Sequence, residues 1–254
     1  RMGQQSVALP SFTFGSPVLD DTATGVVVAA PLTDNFGLTG LWLRADSDFR
    51  RGTFVTKVVN DTTDLFGLIG DVKGDGFQVQ PWVTVGLVGQ DSPKFGVENG
   101  LPGNATAWWA GISGELTMFD PFRLTADFMY NNVDVDHTSN AKYFESDGWY
   151  AALGAEYKTA YGTPALKGWY DKDYADRKGK GGRVMKISGG FNATSTFYDG
   201  AFGVGKHMGF TSPNGSWGIS AQWNDISFVE NLSHALSVTY VQGTNNKHNK
   251  LDVN

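Results

Sequence analysis

Apolar and polar residues alternate strictly along two neighbouring stretches of this 254-residue chain. In ATAWWAGISGELTMF, residues 105–119, Trp108, Ala110, Ile112, Leu116 and Met118 share one parity, and Ser113, Glu115 and Thr117 share the other. After Asp120-Pro121 the pattern resumes in 122–133, with Phe122, Leu124, Ala126, Phe128 and Tyr130 set against Arg123, Thr125, Asp127 and Asn131. A period of two places the two sets on opposite faces of a β-strand. Each run is about as long as the roughly 9–11 residues a tilted strand needs to cross a bilayer, and long for a soluble sheet.

The alternation recurs along the chain. Residues 24–32 and 36–45 flank Thr33-Asp34-Asn35, and 65–72 and 77–89 flank Lys73-Gly74-Asp75-Gly76. Gly and Asp in the second turn supply the positive backbone angles of a tight hairpin. A strand over 149–157 returns after 160–163 toward Tyr170, and 216–228 pairs with 233–243. With 1–9 as the first strand, the chain reads as all-β, about eleven antiparallel strands. Long polar stretches separate the hairpins at 46–64, 91–104, 134–147 and 171–215. Short turns at one end and long loops at the other are the organisation of an antiparallel transmembrane β-barrel of the bacterial outer membrane. Such barrels take an even number of strands with both termini in the periplasm. At least one strand is therefore expected beyond Asn254, and 1–254 reads as the middle of a single, longer barrel domain.

Aromatic residues sort by height in this scheme. Phe36, Phe77, Phe119, Phe122, Tyr157, Tyr161 and Phe228 lie beside short turns, and Trp42, Trp108, Trp109, Tyr130, Trp149, Tyr170, Trp217 and Tyr240 lie toward the long loops. Two belts are what two membrane interfaces select, because amphipathic rings partition to headgroup depth. A girdle is expected from Trp42, Phe119, Phe122, Tyr130, Trp149, Tyr157, Trp217 and Tyr240.

Composition narrows the chemistry. The mean hydropathy of -0.25 is that of a water-soluble protein, yet alternation averages out the signal of a lipid-facing barrel. No apolar run approaches the roughly 18 residues of a membrane helix. Cysteine is absent, which removes disulfides, thiolate catalysis and Cys-based zinc sites. A net charge of -6 disfavours nucleic acid as a partner. His137, His207, His234 and His248 belong to no nucleophile or zinc motif. No catalytic residue, metal site or cofactor is assigned.

In a barrel, the polar parity lines the water-filled interior. Gln78, Gln80, Thr84, Glu115, Arg123, Asp127, Glu156, Lys158 and Lys167 are the expected pore wall, carrying both signs of charge; opposed charges across a narrow pore set up a transverse field that filters solutes. The 171–215 stretch is unusually long for a loop. It concentrates Arg177, Lys178, Lys180, Arg183 and Lys186, either as an anion-attracting constriction folded into the pore or as a solvated extracellular cap.

The strings WWAGISGELTMFDPFRLTADFMY at 108–130, ENLSHALSVTYVQGTNN at 230–246 and RMGQQSVALP at 1–10 resemble the homotrimeric outer-membrane porins of sulfate-reducing bacteria. That resemblance implies a trimer of water-filled barrels with about sixteen strands each. It also implies outer-membrane lipid and lipopolysaccharide as surroundings and passive diffusion of small hydrophilic solutes or ions as the activity. Two other readings fit the pattern: a plugged outer-membrane barrel whose surface loops bind or adhere, and a soluble secreted β-sandwich lectin.

Overall fold

A computed structural model describes residues 1–46, 62–89, 104–135, 146–172, 187, 215–229 and 232–244. Eleven strands appear among them: β1 (Met2–Ala8), β2 (Asp20–Pro31), β3 (Phe36–Asp46), β4 (Thr63–Gly74), β5 (Phe77–Val88), β6 (Ala105–Phe119), β7 (Phe122–Val135), β8 (Ser146–Tyr157), β9 (Thr163–Asp171), β10 (Ser216–Val229) and β11 (Leu232–Gly243). They form one sheet in chain order, and every neighbouring pair is antiparallel. The all-β meander and its strand number are as the alternation predicts.

Local chemistry explains the short turns. Gly76 closes the β4–β5 hairpin at φ 74°, and Gly162 closes β8–β9 at φ 126°, a region that side chains with a Cβ rarely enter. The β6–β7 turn contains a cis Asp120–Pro121 peptide. These turns lie at one end of the sheet. The connections at the other end are longer, and among them residues 9–19 are described throughout.

The two faces of the sheet differ in what meets them. On the open face, directly opposed residues in register run Trp42, Phe66, Val85, Trp108 across β3 to β6. Farther along the same face, Leu153 is 69 % and Val238 71 % exposed. On the covered face, Leu41, Leu43, Leu65, Trp82, Val88, Ala107, Trp109, Met129, Val133, Tyr150, Ala152 and Trp169 are buried together. Their strand positions place them in the half nearest the long loops, with Leu9, Phe14, Val18 and Leu19 of the 9–19 segment packed against them. Ile187, from the long β9–β10 connection, joins this cluster and donates its N–H to the Val18 carbonyl at 2.8 Å.

Among the described residues no helix is long and apolar enough to cross a membrane. That statement does not bear on strands.

Candidate functional site

Eight of the nine residues expected on a pore wall lie on the covered face. Gln78 opposes Glu115 and Gln80 opposes Ser113 across β5 and β6; Arg123 opposes Glu156, and Asp127 opposes Ala152, across β7 and β8. Lys158 lies just past the end of β8, exposed, with its N–H donating to the Pro121 carbonyl at 3.0 Å.

Six of these residues form a polar surface in the half nearest the short turns, and four of the six carry a chain of alternating charge. The Arg123 Nε donates to Glu115 at 2.7 Å and its Nη1 donates to Glu156 at 3.0 Å. The other oxygen of Glu156 pairs with the Lys167 ammonium at 2.8 Å. Arg123 is thus shared by carboxylates on both neighbouring strands, a use of the guanidinium fork that a point-charge ammonium does not offer. The other two, Gln78 and Gln80, belong to a second polar group beside the chain: Asp71 accepts from Gln78 at 2.6 Å and Gln80 at 3.2 Å and pairs with Lys73 at 2.9 Å. Asp71 was not among the residues expected on the wall, its string reading as part of a hairpin turn, although its parity on β4 signals the covered face. Every cation in these two groups sits within hydrogen-bonding reach of a carboxylate on the same wall.

Thr84 and Asp127 are corrections. Both were expected on a water-filled wall, and both are buried, at 1 % and 3 % exposure. Thr84 sits in the packed half, and its hydroxyl has no hydrogen-bond partner among the described residues. Asp127 lies beneath the 9–19 segment. The Ser11 hydroxyl and the Thr13 N–H donate to Asp127 Oδ2, and the Phe12 N–H donates to Oδ1, each at 2.9 Å.

The 9–19 segment is held by several strands at once. The Ser113 hydroxyl donates to the Pro10 carbonyl at 2.8 Å, and the Lys167 ammonium donates to the Thr13 carbonyl at 3.1 Å. The Thr13 and Thr125 hydroxyls are 3.1 Å apart, and the Phe14 ring meets Trp169 edge-on at 5.4 Å. Its own ends are tied by a hydrogen bond from the Leu9 N–H to the Leu19 carbonyl at 2.9 Å, the closed shape of an Ω-loop. Beyond Pro10 the segment drew no sequence-based expectation. Its signal was apolar content: Phe12, Phe14, Val18 and Leu19 stand among Pro, Gly and Ser, and a solvated loop has no use for them.

The expected girdle residues lie on the open face or at its short-turn edge. Trp149 stacks between Phe128 at 6.2 Å and Tyr170 at 5.1 Å; Trp217 meets Tyr240 at 5.6 Å, and Phe122 meets Tyr157 at 4.7 Å. Tyr130 pairs with Trp108 at 5.2 Å, and Phe119 opposes Phe122 across the turn. Trp42 lies under Arg44, 5.8 Å from the guanidinium carbon to the ring centre, and donates its indole N–H to Asp64 at 3.2 Å. Trp109 is a correction to the belt: its parity turns it to the covered face, where it is wholly buried. Arg177, Lys178, Lys180, Arg183 and Lys186 lie outside the described residues. Among the described residues no three metal-ligating side chains cluster.

No family model and no curated protein matches the chain. Among solved structures, it is similar to Acinetobacter baumannii OccAB3 at 12 % identity and TM-score 0.41, covering 94 % of this chain and 61 % of that one. It is likewise similar to Pseudomonas aeruginosa OccK8 (OprE) at 12 % identity and TM-score 0.43, covering 96 % of this chain and 73 % of that one.

Proposed function

We propose that the chain forms part of the wall of an outer-membrane porin through which small hydrophilic solutes or ions diffuse passively. One observation carries this reading: the sheet separates an exposed apolar face, bearing rings near both ends of its strands, from a face with Glu115, Arg123, Glu156 and Lys167 linked in one chain of charge. Soluble proteins rarely leave so continuous an apolar face in water, whereas lipid is its ordinary solvent. A secreted sandwich would need a second sheet over that face. The resemblance of 108–130 and 230–246 to porins of sulfate-reducing bacteria supports three such barrels per assembly, set in lipid and lipopolysaccharide. The pore wall is then the half nearest the short turns, and the 9–19 segment narrows the passage above it.

The packing of 9–19 also favours a second reading. A covered face that is apolar and filled over half its height suits a barrel closed by its own segments, with surface loops as the working part. Planar-bilayer recording on the purified full-length protein separates the two. A diffusion porin gives stepwise conductance, in triplets if trimeric; a sealed membrane despite verified insertion supports the plugged barrel.

A further inference from the structure

Asp127 sits near the middle of β7, buried on the covered face, opposite Ser113 on one side and Ala152 on the other. Among the described residues it takes part in no ion pair; its carboxylate accepts three hydrogen bonds, all from residues 11–13. Two of the donors are successive backbone N–H groups, one to each oxygen. A carboxylate bound in this way fixes position along the segment, because a shift of one residue in either direction puts Pro10 or Phe12, which have no side-chain donor, in the place of Ser11. Apolar contacts such as Phe14 on Trp169 have no comparable register. The dependence is mutual, since a buried carboxylate stripped of its donors carries a large desolvation cost. Lys167 completes the grip by holding the Thr13 carbonyl while Asp127 holds its N–H.

Room for this contact is also built in. A Cβ placed on Gly154 would lie 2.5 Å from the Thr125 hydroxyl and 3.2 Å from Thr13 Cγ2, so glycine at 154 keeps the seat open. We propose that Asp127 is the anchor that seats the 9–19 segment across the channel and so sets its clear cross-section. The second half of this proposal rests on the porin reading; the first half does not.

The test pairs two readouts on the full-length protein. Hydrogen exchange of the 9–19 peptide in detergent is expected to accelerate at least about tenfold in Asp127→Ala, the loss appropriate to several charge-assisted bonds, with β6 and β7 protection unchanged. Gly154→Val, which leaves the carboxylate intact and unseats Thr13 by contact, is expected to accelerate it as well, and Ser11→Ala to do so about threefold. If Asp127→Ala does not assemble, these two variants carry the test. Unchanged exchange in the variants that assemble overturns the anchor. In bilayers, the loosened variants are expected to show larger and noisier conductance steps. Loosened exchange with wild-type conductance overturns the claim on cross-section. Loosened exchange with no conductance even from wild type leaves the anchor standing and removes the porin reading.

Discussion

Trp109 has no exposed surface, whereas Trp108, one residue earlier, is 39 % exposed on the opposite face. The Trp109 ring lies over Gly86, 3.0 Å from where a Cβ would stand, and fills space that no neighbour can reclaim. Trp109→Ala should therefore cost about 3–5 kcal/mol, and Trp108→Ala roughly half of that or less, as read by denaturant unfolding in lipid vesicles. Arg123 shows the electrostatic side of the same face. Removing it leaves Glu115 and Glu156 with one fewer shared cation, so Arg123→Ala should shift the reversal potential across a salt gradient toward cation preference. An unchanged potential would place these groups away from the conducting path. Both effects depend on parity, and parity was legible: Glu115, Arg123 and Glu156 were assigned to the polar face from spacing alone. The fate of that face was not. Ala105, Ala107 and Trp109 share the parity of Ser113 and Glu115, and their apolar character marked the half that would be packed.

At the scale of elements, hairpins were the most readable feature, because alternation and turn residues specify them locally. Gly76 at φ 74° illustrates the constraint, and a Cβ there would also lie 2.6 Å from Met118 of β6. Gly76→Val should destabilise the β4–β5 hairpin by at least about 1 kcal/mol. A lowered temperature for loss of the folded gel mobility is the expected sign, and an unchanged temperature would show that the neighbouring strands relax around the turn. The 9–19 segment was unreadable by the same logic. It has no period, and its partners Ser113, Thr125, Asp127 and Lys167 lie more than a hundred residues away in sequence. Contacts of that kind follow from the sheet once formed and leave almost no local trace. What remained visible was an apolar composition out of place in a loop.

For the molecule as a whole, the division of labour between faces carries the functional account. The open face presents Ile112, Leu124, Phe128, Leu153, Leu166 and Ile219 outward at mid-height, with aromatic rings toward either end. The covered face is split into a charged half and a packed half. Because these 254 residues contain no cysteine, single cysteines along β6 meet no background from them. The decisive measurement is labelling of positions 110–117, one at a time, in the full-length protein reconstituted into vesicles containing a lipid-phase quencher. Fluorophores at the even positions, Ala110, Ile112, Gly114 and Leu116, should be quenched from the lipid, and those at Gly111, Ser113, Glu115 and Thr117 should not. A water-soluble reagent reaching both parities equally, or quenching with no period of two, would contradict a membrane-spanning wall.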